Sequence, residues 1–314
     1  MKEIFGSVNY YGIGNIIRNY CGFSKILPLP VSIQHGWYLA AVQHDAKKNA
    51  GENWYWSKEI ESQYNRKYSD IKTRATGAPF IYHLWNIGYQ EMPIEQRKGS
   101  IVFPAHSSDF VTVDYNYEKF AAMLDGLPEK YKPITVCIYY IEHEKGMDRF
   151  FKEKGFQIVT NGMSLYQSDF LHNYVDNTKD KLYAFSNEPT SALIYASLMG
   201  LTAFYFGPTV KEFLVDKPLP AEIKMFEQRK KITNHWQVLF RFPDCDRSKQ
   251  KEYCDLVAGK DVLLEKKDMR NLLYRILFSR RFLFFLTIAF FARFKLIKIM
   301  YRKSKQLLMG NNEY

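Results

Sequence analysis

The sequence predicts an α/β protein built around parallel sheets. Three observations carry that expectation. Between Ile101 and Phe206 five strand-like runs alternate with four helix-like runs. Short connections, several marked by Gly or Pro, join them. The strand runs are rich in β-branched and aromatic residues, as in strands covered on both faces by helices.

Taken in order, Ile101–Ala105 reads as a short buried strand. Tyr117–Leu127 carries Phe120, Met123 and Leu124 at helical spacing and stops at Gly126-Leu127-Pro128. Ile134–Ile141 is the second strand, Met147–Lys154 a short helix halted by Gly155, and Phe156–Thr160 the third strand. Ser164–Val175 is helical, with Leu165, Phe170, Leu171 and Tyr174 as its apolar set. Leu182–Phe185 is the fourth strand, Thr190–Met199 a helix closed by Gly200, and Thr202–Phe206 the fifth strand. Ligands of such sheets bind beyond the carboxyl ends of the strands. Those ends are Pro104–Asp109, Glu142–Gly146, Thr160–Ser164, Ser186–Ser191 and Gly207–Pro208.

The first hundred residues follow a looser version of the pattern. Ile26–Ile33 is extended, because its prolines exclude a helix. Trp54–Trp56 and Pro79–Trp85 read as strands, Leu39–Lys48 and Lys58–Asn65 as helices. Glu91–Gly99 is polar, contains a Pro and a Gly, and reads as a hinge. Helices are expected again over Lys251–Val257 and Leu263–Ile276. The expected organisation is two Rossmann-like units, residues 1–98 and 99–270, followed by a basic amphipathic tail over 271–314.

Charge is unevenly distributed. The net charge is +11, yet from Arg270 to Tyr314 ten residues are basic and only Glu313 is acidic, leaving the rest of the chain near neutral. A nucleic-acid binder spreads its basic charge over a folded face, so no nucleic acid is expected as partner. A cationic tail fits a polyanionic surface met by the tail alone. The four cysteines, Cys21, Cys137, Cys245 and Cys254, have no metal-site spacing and form no disulfide framework, so neither a metal nor an oxidising compartment is expected. The first fourteen residues lack the basic-then-apolar order of a signal peptide.

Two segments carry chemistry. Ser186-Asn187-Glu188-Pro189-Thr190-Ser191 ends a strand in small polar residues and opens a helix. Pro189 has no amide hydrogen to leave unsatisfied, and Thr190 and Ser191 bring hydroxyls beside the free amides of the first turn. Such a helix start, with its positive dipole end, suits phosphate. Read alone, the segment is equally an ordinary capped helix. Pro104-Ala105-His106-Ser107-Ser108 ends the first strand of the same unit and faces the same edge. An imidazole beside hydroxyls suits phosphate oxygens and can protonate a departing phosphate; the bland alternative is a capping histidine. Glu188 is placed to meet a ribose or sugar hydroxyl, or to favour the helix start by its charge.

The run SNEPTSALIYASLMGLTAFYFGP resembles the donor-binding strand–helix–strand of GT-B glycosyltransferases, particularly those of lipopolysaccharide and capsule gene clusters. The phrases GSIVFPAHSS and VSIQHGW are similar to that group as well, and the similarity covers mainly residues 99–208. The resemblance implies a nucleotide-sugar held by the second domain, an acceptor glycan held by the first, and donor phosphate at Thr190 and Ser191. His106, Ser107, Ser108, Asn187 and Glu188 complete the expected donor site. The paired hydroxyls with a nearby His are also similar to transferases of CMP-activated acidic sugars. Those carry His directly before Pro, whereas the order here is Pro104-Ala105-His106. No cofactor and no metal are expected beside the nucleotide-sugar, and there is no DxD triplet.

Glycosyl transfer needs a base for the acceptor hydroxyl. His35, in Gln34-His35-Gly36-Trp37, sits where a strand gives way to a loop, and Asp45 is the nearby carboxylate. Either is the candidate base. The stretch Phe282–Ala292 is apolar but far short of the roughly 20 residues that span a bilayer. Its basic flanks, Arg280, Arg281, Arg293, Lys295 and Lys298, suit a helix lying in an anionic membrane interface. A peripheral place at the cytoplasmic face of the inner membrane follows, where lipid-linked glycan acceptors lie. The competing readings are a nucleotide-sugar epimerase or hydrolase of the same architecture, and a non-catalytic membrane-tethered scaffold.

Overall fold

The computed structural model describes residues 4–37, 41, 45–108, 111–214, 234–279 and 282–283. The chain opens with 3-10 turns over Gly6–Gly12, interrupted at Tyr10 and Tyr11. Helix α1 (Ile13–Cys21) follows between two left-handed glycines, Gly12 and Gly22. It is absent from the sequence expectation, although Ile13, Ile16, Ile17 and Tyr20 form its buried stripe. Strands β1 (Val31–Ile33), β2 (Glu52–Tyr55) and β3 (Thr73–Ala75) form a parallel sheet in that order. Helix α2 (Lys58–Lys67) connects β2 to β3, and the Ser57 hydroxyl caps it by accepting from the Ile60 amide.

Helix α3 (Pro79–Asn86) replaces the strand expected there. Phe80, Ile81, Tyr82, His83 and Leu84 are all buried, so the segment is apolar around most of its circumference and shows no helical periodicity. Pro79 at the first turn is the signal that should have outweighed its β-forming residues. Of the helix expected over Leu39–Lys48, residues 39, 40 and 42–44 lie outside the described residues, and the described residues 41 and 45–48 are not α-helical.

The second unit runs β4 (Ser100–Val102), β5 (Val111–Asp114), α4 (Tyr117–Asp125), β6 (Ile134–Cys137), α5 (Tyr140–Glu144), α6 (Arg149–Lys152), β7 (Gln157–Val159), α7 (Phe170–Thr178), β8 (Tyr183–Ser186), α8 (Ser191–Leu198), β9 (Thr202–Tyr205) and β10 (Lys211–Leu214). All five expected strands are present and parallel, in the order β7-β6-β4-β8-β9. β5 and β10 were not expected; they pair antiparallel as a separate ribbon. The second strand ends at Cys137, not Ile141, because Tyr140 already begins α5. Its carboxyl-end loop is therefore Ile138–Tyr139 rather than Glu142–Gly146.

Helical residues 234–239 (α9), α10 (Arg247–Val257) and α11 (Lys266–Leu277) end the described chain. One apolar cluster runs through both units, joining Val31, Trp56 and Phe80 to Ile101, Tyr174, Leu193 and Ile276. The last helices close back over the first unit. The Ala78 amide bonds the Ala258 carbonyl at 2.8 Å, and the Tyr20 hydroxyl bonds the Leu264 carbonyl at 2.9 Å. Leu272, Leu273, Ile276 and Leu277 of α11 are buried, so the beginning of the expected cationic tail is part of the core. Residues 284–314, which hold most of that tail, lie outside the described residues. Among the described residues no helix is long and apolar enough to cross a membrane.

The stretch expected as a hinge is fastened at both ends. Buried Arg97 donates to the Met92 carbonyl at 2.8 Å and to the Met199 carbonyl at 3.3 Å, and it pairs with Glu91.

Candidate functional site

In the strand order β7-β6-β4-β8-β9, the chain leaves β4 toward one edge of the sheet and leaves β8 toward the other. The switch point lies between β4 and β8, and doubly wound sheets open a crevice there. The segments that flank it are Phe103–Ser108 and Asn187–Ser191. Asn187 joins them: its Oδ1 accepts from the Ala105 amide at 2.8 Å and its Nδ2 donates to the Pro208 carbonyl at 3.3 Å.

These contacts divide the expected donor residues into two groups. Asn187 is fully buried, and both ends of its side-chain amide are bonded to loop backbone. Ser107 is likewise buried. Its amide donates to Glu142 Oε1 at 2.8 Å, and its hydroxyl accepts from Lys145 Nζ at 2.9 Å and from the Val113 amide at 3.3 Å. Both are among the residues expected to touch donor; in the structure both are buried and bonded to neighbouring segments. His106 is exposed. Its Nδ1 donates to the Ser107 carbonyl at 2.9 Å, since a carbonyl only accepts, and its ring stacks on Tyr139 at 3.9 Å. Ser108 is exposed and closes a turn with Val111.

Helix α8 begins as its sequence requires. Thr190 is the N-cap in extended conformation, and its hydroxyl accepts from the Ala192 amide at 3.4 Å. Glu188, Thr190 and Ser191 are half-buried. Burial, and next the Glu188 charge, push the neighbouring Tyr205 phenol up to about 12. The Ser191 hydroxyl accepts from the Trp37 amide at 2.8 Å. Trp37 follows the carboxyl end of β1, so this bond brings the strand ends of the two units together.

On the first unit's side, His35 Nδ1 lies 3.5 Å from Asp45 Oδ1. The Asp45 side chain has no exposed surface, whereas that of His35 is 17% exposed. Among the described residues neither Asp45 oxygen has a hydrogen-bond partner. A desolvated carboxylate of this kind is costly unless a charged or donor group faces it, and His35 is that group. Asp45, expected as an alternative base, is enclosed, and its position beside His35 suits it to orient that ring.

Sequence reasoning missed the tyrosines between the two histidines. Tyr10 meets the His35 ring edge-on at 5.0 Å, and the Tyr11 ring lies 6.2 Å from it. The Tyr11 and Tyr139 hydroxyls are 3.3 Å apart, and Tyr139 stacks on His106. Burial raises both phenols above their ordinary pKa, so they stay protonated at neutral pH. Tyr11 holds a left-handed φ of 54°, a conformation that costs an ordinary residue roughly 1–2 kcal/mol. It is held there by its amide's bond to the Leu165 carbonyl at 2.8 Å. Strain retained at a junction of this sort marks a functional candidate.

The groups gathered at the seam, Tyr10, Tyr11, His35, Tyr139, Glu188, Thr190 and Ser191, are half-buried. A cavity of about 340 Å³, lined by Lys130, Tyr183, Thr202 and Arg247 among others, lies at the amino ends of β8 and β9, on the opposite edge of the sheet. A second, of about 360 Å³, lies between Ile4–Gly6 and Ala46–Asn49. Neither includes the seam. Among the described residues no group of three or more His, Cys, Asp or Glu side chains could hold a metal ion.

No protein-family model matches the chain, and no curated protein matches it. Two solved structures are similar in part. A UDP-GlcNAc 2-epimerase from Neisseria meningitidis bound to UDP-GlcNAc matches at 10% identity with a TM-score of 0.34, covering 73% of this chain and 61% of the epimerase. A glycosyltransferase from Rickettsia africae ESF-5 matches at 12% identity with a TM-score of 0.30, covering 85% of this chain and 70% of the other. The chain thus spans less than two thirds of the epimerase's length. Matches at this level assign neither a family nor an activity.

Proposed function

We propose that the protein is a glycosyltransferase that moves a sugar from a nucleotide-activated donor to a membrane-associated glycan acceptor in surface-polysaccharide synthesis. One observation carries the reading: the 2.8 Å bond from the Trp37 amide to the Ser191 hydroxyl sets the first unit's strand ends against the switch point of the second. Donor and acceptor then meet in one seam, residues 1–98 serving the acceptor and 99–270 the donor. The start of α8 at Thr190 and Ser191 takes the donor phosphate through amides and hydroxyls. His106, across the switch point, stabilises or protonates the leaving phosphate without a metal. Glu188 holds a ribose or sugar hydroxyl. His35, oriented by Asp45, removes the acceptor proton. The cationic sequence beyond α11 keeps the protein at the cytoplasmic face of the inner membrane.

A thermal-shift screen against UDP, GDP, CMP and dTDP sugars tests the donor, and one nucleotide class should raise the melting temperature. Thr190→Ala with Ser191→Ala should then weaken donor affinity about tenfold by calorimetry, the loss of one or two phosphate hydrogen bonds. Unchanged affinity removes α8 from the site. With the bound donor, elongation of an acceptor glycan supports transfer, an epimerised sugar supports the epimerase, and no nucleotide binding at all leaves the scaffold.

A further inference from the structure

Where α11 covers the first unit, the molecule presents a surface that is both basic and apolar. The exposed side of α11 bears Lys266, Lys267, Arg270 and Arg275, with its acids Glu265 and Asp268 confined to the start of the helix. Toward its carboxyl end the face becomes apolar: Tyr274 and Phe278 rings lie nearly parallel at 6.4 Å, and Phe278 is 63% exposed. The loop after α1 lies alongside, Phe23 packing on Tyr274 at 4.8 Å. Its tip presents Lys25 and Ile26 to solvent, Ile26 at 84% exposure, the highest of any large apolar side chain described. Past Phe278 the Leu283 amide bonds back to Ser279, leaving the Leu283 side chain exposed. Phe282 packs on Phe5, next to exposed Ile4.

We infer that this rim, Ile26, Phe278, Leu283 and Ile4 within a collar of Lys25, Arg270 and Arg275, is a docking face for an anionic bilayer surface. The inference rests on the transferase reading for its purpose and stands on its own for the contact. Exposed aromatic and aliphatic side chains ringed by cations match an interface in which apolar tips enter the headgroup region and cations meet anionic lipid. The sequence continues the same chemistry directly: Phe282–Ala292 is uncharged and apolar, and Arg293, Lys295 and Lys298 follow. The face thus extends a membrane-seeking stretch onto the folded body instead of leaving attachment to the tail. It also sets the seam near the bilayer. Ile4 on the rim and Tyr11 beside His35 are seven residues apart, a reach of at most about 25 Å. A lipid-linked acceptor held at the bilayer would then need only a short glycan to arrive at His35.

The test uses the full chain and co-sedimentation with vesicles of phosphatidylcholine plus phosphatidylglycerol, against vesicles of phosphatidylcholine alone. Ile26→Asp with Phe278→Asp should lower the partition onto anionic vesicles about tenfold, and Lys25→Glu with Arg275→Glu should do so by a similar factor. Both residue pairs are exposed, and an unchanged melting temperature certifies each fold. Equal binding of the parent chain to neutral vesicles, or retained binding by both variants, overturns the inference. So does a dimer in vesicle-free solution that the apolar pair splits, which assigns the face to a second copy. Nucleotide-sugar calorimetry on the same variants separates the two proposals. Lost vesicle binding with intact donor binding supports the docking face, while absent donor binding in the parent chain counts against the transferase reading alone.

Discussion

Asp45 and His35 are ten positions apart, and only the fold brings them to 3.5 Å. A loop His beside Gly36 at a strand end is legible as a site candidate. The role of its partner is not, because nothing in the sequence says that Asp45 is wholly enclosed. On the proposed function, an enclosed Asp45 acts by positioning His35, and that role has a defined kinetic signature. Asp45→Asn keeps the shape but loses the orienting charge, so kcat with the cognate donor should fall roughly 10–100-fold while KM for both substrates stays within about twofold. A change confined to KM, or none, would remove Asp45 from the reaction. Tyr10, Tyr11 and Tyr139 were illegible for another reason. In a chain with 23 tyrosines a Tyr-Tyr pair carries no signal, and the left-handed backbone of Tyr11 exists only in three dimensions. Ser107 and Asn187 show the converse: polar residues at a strand end read as candidate ligand contacts, and only the fold shows them buried, Asn187 bonded to loop backbone and Ser107 to Glu142, Lys145 and the Val113 amide.

Among the elements, the five parallel strands of the second unit were legible because each lies in a mostly apolar run bounded by turns, whereas β3, Thr73-Arg74-Ala75, is too short and polar to leave such a mark and was not expected. Helix α8 was legible because Pro189, Thr190 and Gly200 punctuate it. α3 was misread because a fully enclosed helix has no polar stripe to reveal its period. The β5–β10 ribbon was missed because its strands are about a hundred residues apart, and pairing at that range leaves no local mark. The junction of α10 with the first unit gives an element-scale prediction. Gly259 has φ +70°, and a Cβ there would overlap the Trp56 carbonyl oxygen. Gly259→Ala should destabilise the protein by about 2–4 kcal/mol, from positive-φ strain plus forced separation of α10 from the strand end. Urea denaturation measures this, and a change under about 0.5 kcal/mol would mean that the junction yields freely.

For the whole molecule, the aromatic excess is mostly packing: Trp54, Trp56, Trp236, Tyr64, Tyr82 and Tyr174 are among the largest fully buried side chains. One core serves both sheets, so stability is a joint property. His83 exposes a pH limit on it. On α3 it faces His172 of α7 at 5.8 Å, its Nε2 has no hydrogen-bond partner among the described residues, and burial pushes its pKa down to about 4. Above about pH 6.5 the ring is neutral folded and unfolded, and there is no effect. As pH falls toward 4 only the unfolded chain takes the proton, so stability drops by about 3 kcal/mol and then levels off. In His83→Leu that part of the acid decline should vanish in denaturation curves taken across the window; an identical decline would place the loss elsewhere. The sequence by itself determined the parallel α/β architecture of residues 100–208, the start of α8 and the cationic bias of the chain's end, because each is written in neighbouring residues: run length, capping chemistry, charge. Tertiary structure alone decided which polar groups are struts and which face the seam, that His35 and Asp45 pair, and that α11 closes over the first unit. Burial and long-range contact are properties of the packed chain and leave no trace in local order.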